Sequence, residues 1–192
     1  MSARASDGRR RHHGVVTAAV CVVLLLVGAG LVRHHVTQPF RIPSASMEPT
    51  LQVGDVILVD RSLRGTAEHG QVVVFDGTGY FGTEGTAGGD HWVKRVIALG
   101  GERVSCCTEE GAITVDGDPV HEPYLPPGTA PSEVEFDLLV PEGRMFVLGD
   151  NRTDSTDSRH LLGAPGGGMV PVDRVVGPVT RTVWPLSRAD VI

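Results

Sequence analysis

The sequence has almost no lysine. Of the 17 lysine and arginine residues in the 192-residue chain, Lys94 is the only lysine. Either residue supplies a positive charge, but arginine cannot act as a base, because its pKa exceeds about 12. Lys94 lies among the apolar residues of the run HWVKRVIAL, and burial there lowers the pKa of an amine. The lone lysine therefore indicates a position that requires a base able to lose its proton.

Cysteine is also scarce. The three cysteines are Cys21, inside an apolar run, and the adjacent pair Cys106 and Cys107. Three cysteines are too few for a disulfide framework, and their spacing fits no zinc pattern. The adjacent pair can close a disulfide ring or remain as two thiols, and the sequence leaves both open.

The main part of the chain has few basic residues. Four arginines and one aspartate give residues 1–14 a charge of +3, which leaves −9 for residues 15–192 out of a total of −6. Nucleic-acid binding requires clustered Arg and Lys to contact phosphates, so this charge argues against nucleic-acid binding by the main part of the chain. The polar run after residue 149 lacks the glycine and the ligand order of a calcium loop. We therefore expect no metal and no cofactor.

Residues 15–32 form one long apolar run without a charge. As a helix these 18 residues would span about 27 Å, close to the hydrocarbon core of a bilayer. A buried core helix and a cleaved signal peptide are the alternatives, but the run exceeds a usual signal-peptide core and no small-x-small cleavage site follows. Three consecutive arginines, Arg9 to Arg11, lie just before the run, and one, Arg33, follows it. This asymmetry predicts a cytoplasmic tail (1–14), a transmembrane anchor (15–32) and an extracytoplasmic domain (36–192).

The outer domain is predicted to be mainly β. With 25 glycines and 13 prolines, the chain favours turns between short strands, and no window beyond the anchor has helical periodicity. An Asp-Gly pair at 116–117 predicts a hairpin. Residues 106–140 are expected to form a small inserted lobe. The predicted strands are 53–60, 71–75, 92–99, 102–105, 112–115, 134–139, 144–148 and 174–184.

Three polar constellations could support catalysis. The first is Ser46 in PSASMEPTL, which needs a base before it can attack an acyl carbon. Histidine is the usual base, but His69, His91, His121 and His160 are scattered without a local pattern. The second feature is Lys94, which could act as the base for Ser46 in place of a histidine. The third is FVLGDNRTDSTDSRHLLG at 146–163, whose Asp and Ser side chains suit a hydrogen-bonded turn.

Together these segments resemble the bacterial type I signal peptidases, which use a serine-lysine dyad. PSASMEPTL, GDVILVD, VKRVIALGGERV and MFVLGDNRTDSTDSRHLLG match the conserved segments of that family in order, and the lysine-poor composition is similar to actinobacterial members. The resemblance implies a β-rich catalytic core with an inserted lobe. One departure is Gly100-Gly101-Glu102, where the family usually has Pro-Gly-Asp.

The resemblance also implies residue roles. Ser46 would be the nucleophile and Lys94 the general base, and the Ser44 hydroxyl would join the Ser46 N–H in the oxyanion hole. Ser155 would position the lysine amine. The residues that would support the site are Asp157, Arg159 and Arg95. The residues that would shape the substrate groove are Met47 and Pro49.

The implied function is removal of signal peptides after small residues of the Ala-x-Ala type by an enzyme of the cell membrane. Its partners would be preproteins and the lipid bilayer, near the secretion translocon. Two other functions share some of these features. A self-cleaving serine-lysine regulatory protease would carry a DNA-binding helical module in place of the anchor. A catalytically inactive, membrane-tethered binding protein would lack the serine or the lysine.

Overall fold

The computed structural model describes residues 16, 19–25, 27–28, 36–81, 90–164 and 166–192. The chain divides into two units, Met1–Thr37 and Gln38–Ile192. In the first unit, those residues between 16 and 36 that the structure describes are helical. The predicted tail (1–14) and part of the predicted anchor (15–32) lie outside the described residues. Among the residues that are described, no helix combines the length and the apolar character needed to cross a membrane.

The second unit is mainly β, which confirms that part of the predicted fold class. Each predicted apolar run contains a strand, and short strands add to them. The strands are β1 (Thr37–Arg41), β2 (Val56–Asp60), β3 (Val72–Asp76), β4 (His91–Leu99), β5 (Arg103–Cys106), β6 (Ile113–Val115), β7 (Asp118–Pro119), β8 (Phe136–Leu139), β9 (Arg144–Leu148), β10 (Val170–Pro171), β11 (Val175–Trp184) and β12 (Asp190–Val191).

Two sheets contain these strands. The larger has eight strands in the order β1-β2-β11-β3-β4-β9-β10, with β12 pairing to β11. The smaller has four strands in the order β7-β6-β5-β8 and is inserted between β4 and β9. Its residues, from Arg103 to Leu139, cover most of the range predicted as a lobe. The chain thus leaves the main sheet after β4 and returns to pair with β4 through β9.

β3 lies at the centre of the larger sheet and is buried on both faces. Successive side chains of a strand point to opposite faces. Val72 and Val74 pack in one apolar cluster with Met47, whereas Val73 and Phe75 pack in another cluster on the opposite face. Because both faces of β3 are covered, apolar residues occupy successive positions of the strand and do not alternate with polar ones.

The predicted Asp-Gly hairpin is present. Val115 pairs with Asp118, so the turn between β6 and β7 consists of two residues. Asp116 has φ of 52° and Gly117 has φ of 90°, and hairpin turns of this length require such positive φ values. The turn residues therefore set the register of this hairpin.

The smaller sheet packs against the larger one through an apolar cluster. Val104, Ile113 and Phe136 from the smaller sheet contact Phe146 and Leu148 from β9. Cys106 belongs to the same cluster, and the structure joins it to Cys107 by a disulfide. The inserted sheet thus packs against β9, the strand that precedes the polar run at 149–159.

Candidate active site

β4 carries Lys94 into the interior of the second unit. The strand lies between β3 and β9, and Lys94 pairs in register with Val73. Strands on both sides leave Lys94 only 2% exposed. Its Nζ lies 5.7 Å from the centroid of the Trp92 ring, on the face that both residues share. A lysine so enclosed does not extend its amine to solvent.

The Lys94 amine meets the Ser46 hydroxyl. Lys94 Nζ donates a hydrogen bond of 2.7 Å to Ser46 Oγ, although the two residues are 48 positions apart in the chain. Ser46 lies in the turn-rich segment that follows β1. The Ser44 hydroxyl lies next to the pair and donates to Ser46 Oγ at 3.4 Å. The structure therefore brings together the predicted Ser44, Ser46 and Lys94.

The environment of Lys94 favours its neutral form. Burial lowers the pKa of Lys94 to about 8, and the positive charge of Arg159 acts in the same direction. The negative charges of Asp157 and Asp150 partly oppose this change. An amine with a pKa of about 8 is neutral in a substantial fraction of molecules near physiological pH.

Two buried aspartates hold the segment 149–159 beside this pair. Asp150 accepts two hydrogen bonds from Arg95, at 2.8 Å from Nε and 2.6 Å from Nη2, and a third of 2.5 Å from Thr50 Oγ1. Asp157 accepts from Arg159 Nε at 2.9 Å and from Nη2 at 2.8 Å. Paired hydrogen bonds of this kind fix both orientation and distance.

Asp157 also fixes the backbone of this segment. It accepts from Gly149 N at 3.1 Å and caps the short 3-10 helix Ser158–Leu161 through Arg159 N. Burial acts to raise the pKa of Asp157, but the hydrogen bonds and charge of Arg159, together with the Gly149 N–H, hold the pKa below its usual range. Asp157 therefore stays ionised beside Lys94.

Ser155 lies against the same site, where its hydroxyl helps to lower the pKa of Asp157 but forms no hydrogen bond of normal geometry with the described residues. Its Oγ is buried and has no hydrogen-bond partner in the part of the chain that the structure describes. It is close to Gly149, where an added Cβ would collide with Ser155 Oγ and with the carbonyl oxygen of Ser46. The predicted role of Ser155 in positioning the lysine amine stays a prediction.

An apolar cavity of about 330 Å³ opens beside Ser46 and Lys94. Its lining combines the polar pair with mostly apolar side chains. Met47, which was predicted to shape a groove, lines this cavity, whereas Pro49 lies in a separate polar depression with Thr50 and Arg188. The other lining residues are Ile42, Pro43, Ser44, His91, Trp92 and Val93. Within the described ranges, no cluster of His, Cys, Asp or Glu is placed to hold a metal ion.

Some residues of the site were not assigned a role from the sequence. Asp150 and Asn151 were recognised only as part of a polar run, yet Asn151 N donates to the Ser46 carbonyl oxygen at 3.1 Å. Glu122, Tyr124 and Arg152 had no predicted role in the site. A buried arginine requires acceptors, so Arg95 next to the lysine was a signal that an acidic partner exists. Nothing in the sequence indicates which of the 23 acidic residues it is.

Gly149→Ala is expected to destabilise the protein. The methyl group would meet backbone and a buried hydroxyl, so the segment 149–151 or the Ser46 turn must move. Overpacking of this kind costs about 1–3 kcal/mol, which corresponds to a fall of roughly 2–12 °C in melting temperature. Thermal unfolding measures it. Gly163→Ala is the matched control, because a Cβ at Gly163 meets nothing within 4 Å, and it should leave the melting temperature unchanged.

Comparison with known proteins places the chain in a family. The profile of the family described as "Signal peptidase, peptidase S26" matches residues 14–184. The chain belongs to the signal peptidase family, peptidase S26. The members of this family are peptidases, and this signal peptidase is accordingly an enzyme, a serine endopeptidase.

Curated relatives agree with this assignment. The signal peptidase is 38% identical to "Signal peptidase I" of Mycobacterium tuberculosis (strain CDC 1551 / Oshkosh), over 92% of this chain and 74% of that protein. It is 30% identical to "Signal peptidase I T" of Bacillus subtilis (strain 168), over 87% of this chain and 84% of that protein. A crystal structure of a signal peptidase I from Enterococcus faecalis V583 is 26% identical, with a TM-score of 0.45, and covers 60% of this chain and 97% of that one.

Proposed function

We propose that this signal peptidase removes signal peptides from preproteins, with Ser46 as the nucleophile and Lys94 as the general base. The observation that carries the assignment is the 2.7 Å hydrogen bond between Lys94 Nζ and Ser46 Oγ. A serine becomes nucleophilic when a neighbouring base takes its proton. The pair also argues against an inactive tethered protein, because both groups are present and in contact.

The reaction follows from this contact. Neutral Lys94 accepts the proton of Ser46 Oγ while the oxygen attacks the scissile carbonyl carbon. The resulting ammonium then gives that proton to the leaving amine, which departs as the mature protein. A water molecule, deprotonated by the same amine, attacks the acyl-enzyme, and the ammonium returns that proton to Ser46 Oγ as the signal peptide is released. Lys94 ends the cycle neutral, as it began.

The oxyanion of the intermediate is held by the Ser46 N–H and the Ser44 hydroxyl. The position of Ser44 supports this role, because its Oγ lies 3.4 Å from Ser46 Oγ and lines the same cavity. Removing one such donor typically costs about 3–4 kcal/mol of transition-state stabilisation. Ser155 positions the Lys94 amine, and the two aspartate-arginine pairs keep the segment 149–159 in place around it.

The cavity beside Ser46 binds the residues that precede the cleaved bond. Its mostly apolar lining suits apolar side chains such as alanine, and the preference for small ones is what the family resemblance implies. Met47 forms part of its wall, and Pro49 shapes the turn that presents Ser46. Substrates of this enzyme accordingly carry small residues of the Ala-x-Ala type before the cleavage site.

The predicted domain organisation belongs to the same proposal. Residues 15–32 anchor the enzyme in the cell membrane, with residues 1–14 in the cytoplasm, the peptidase domain (36–192) outside, and residues 106–140 as its inserted lobe. The support is the uncharged 18-residue run and its arginine-rich N-terminal flank. Anchoring keeps the enzyme beside the secretion translocon and the bilayer, which raises its effective concentration toward emerging preproteins.

A cleavage assay tests the function. The full-length chain, purified in detergent, is incubated with a preprotein whose signal peptide ends in Ala-x-Ala, and mass spectrometry locates the new N-terminus. We expect cleavage directly after the second alanine. A preprotein with phenylalanine in place of that alanine is the control and should stay intact. An intact Ala-x-Ala preprotein would contradict the proposal.

The rate is expected to depend on pH through Lys94. Only the neutral amine can take a proton, and the pKa of Lys94 is lowered to about 8. The value of kcat/KM should therefore rise as pH increases through about 8 and level off above it, whereas below that pH the rate should fall tenfold per unit. A profile measured from pH 6 to 10 on a neutral peptide substrate checks this. A flat profile would show that no group of this kind controls the rate.

A further inference from the structure

The segment 122–131 of the inserted lobe contacts the active-site scaffold through buried arginines. It follows β7 and contains Glu122, Tyr124 and Pro131. The arginines are Arg95 in β4 and Arg152 and Arg159 in the segment 149–159, and each is at most 9% exposed. Neither the proposed mechanism nor the predicted site residues explain why a peripheral lobe should provide partners for all of them.

Arg152 has most of its hydrogen-bond acceptors in this segment. It forms a buried ion pair with Glu122, whose side chain is 8% exposed, and its Nη1 donates to the Pro131 carbonyl oxygen at 2.7 Å. Its Nη2 lies 3.3 Å from the Tyr124 hydroxyl, and its Nε donates to the Gly149 carbonyl oxygen at 3.0 Å. Arg152 therefore links the inserted lobe to the first residue of the segment 149–159.

Tyr124 connects the same segment to Arg95. The Arg95 guanidinium lies over the Tyr124 ring, 3.9 Å from its centroid, while the Tyr124 hydroxyl donates to Glu122 Oε1 at 2.7 Å. Arg95 is also the residue that binds both carboxylate oxygens of Asp150. A third contact joins Arg159 Nη1 to the Pro131 carbonyl oxygen at 3.5 Å.

These contacts reach the Ser46 turn through residues 149–151. Gly149 lies so close to the Ser46 carbonyl oxygen that a Cβ would collide with it. Asn151 N donates to that same oxygen at 3.1 Å, and Asn151 Nδ2 donates to the Ala45 carbonyl oxygen at 3.2 Å. A displacement of 149–151 therefore moves the backbone of Ser46 relative to Lys94, which lies in β4 between β3 and β9.

We propose that Glu122 and Tyr124 are positioning residues for catalysis: they hold Arg152 and Arg95, and through these the segment 149–151 against the Ser46 turn. This inference rests on the proposed function, and it assigns the inserted lobe a part in it. Neither residue touches the cavity that receives the substrate. Their loss should consequently affect the chemical step and leave substrate binding unchanged, because small misplacements of reacting groups reduce rate strongly.

The test compares Glu122→Gln with Asp137→Asn in the full-length chain, using the cleavage assay. Asp137 forms an exposed ion pair with Arg103 in the same inserted sheet, so Asp137→Asn removes a lobe ion pair that does not involve Arg152. For Glu122→Gln, kcat per folded molecule should fall about 10- to 100-fold, with KM changed less than about twofold. Asp137→Asn should match the wild type in both parameters. Thermal unfolding gives the folded fraction at the assay temperature.

The outcomes separate the possibilities. If Glu122→Gln lowers the melting temperature but keeps the wild-type kcat per folded molecule, Glu122 has only a structural role. That result overturns the proposal. If this variant unfolds below the assay temperature, Tyr124→Phe decides, because it removes one hydroxyl and keeps the ring on Arg95. Its kcat should fall about threefold, and an unchanged kcat overturns the proposal. Absence of cleavage by the wild type would instead refute the proposed function.

Discussion

Lys94→Arg is expected to abolish peptide cleavage although the positive charge is kept. The guanidinium stays protonated at every accessible pH, so it cannot take the proton of Ser46. Loss of a general base that acts in concert with its nucleophile lowers kcat by about 10⁴-fold or more. The measurement is kcat for a preprotein peptide, with the wild type assayed in parallel. Activity above a few per cent of the wild type would show that Lys94 is not the base.

Two further variants are controls. One tests the effect of the larger arginine side chain at position 94, and the other tests a lysine-arginine exchange away from the site. Arginine is larger than the enclosed lysine, so Lys94→Met supplies a side chain of similar length that lacks the amine. It should be equally inactive and at least as stable as the wild type, because burying a charged amine is costly. Arg103→Lys makes the reverse exchange at an exposed position and should leave kcat unchanged. If Lys94→Met unfolds, its inactivity carries no weight and Lys94→Arg alone is decisive.

Ser46→Ala should reduce kcat to the same extent. It removes the oxygen that attacks the carbonyl, and no other hydroxyl lies within hydrogen-bond distance of Lys94 Nζ among the contacts of the described residues. Nucleophile and base act as a unit, so the double variant Ser46→Ala/Lys94→Met should be no slower than either single variant, at about 10⁴-fold or more below the wild type.

Ser187→Ala is the control for this substitution, because it removes an exposed serine that does not line the cavity. It should retain full activity. Additive losses in the double variant would contradict the dyad, since they would mean that the two side chains contribute through separate steps.

Much of the fold was predictable because it depends on local patterns. The apolar runs predicted the strands, and the Asp-Gly pair predicted the hairpin between β6 and β7, since a two-residue turn constrains φ directly. Ser46 and Lys94 were predictable from residue chemistry and from family resemblance. Their contact was not, because it depends on how β4 and the Ser46 turn meet across 48 residues of chain.

The electrostatic surroundings of the site were the least predictable part. The partners of Arg95 and Arg152 lie 55 and 30 residues away, and many acidic residues compete for each role. The position of Pro49 outside the cavity has a similar cause, because it depends on the three-dimensional path of a turn. The assigned roles of Ser155, Asp157 and Arg159, and the boundaries of anchor and lobe, stay predictions.

Because the chain has a single lysine, the ionisation of Lys94 can be observed directly by NMR. Growth on lysine labelled with ¹⁵N at the ζ position would place the isotope at one side chain only, because the chain has no second lysine. The resulting spectrum would contain one amine resonance, without the overlap that hides active-site lysines in most proteins. Following that resonance from pH 6 to 10 would report the ionisation of Lys94 in the resting enzyme, without mutation and without a substrate.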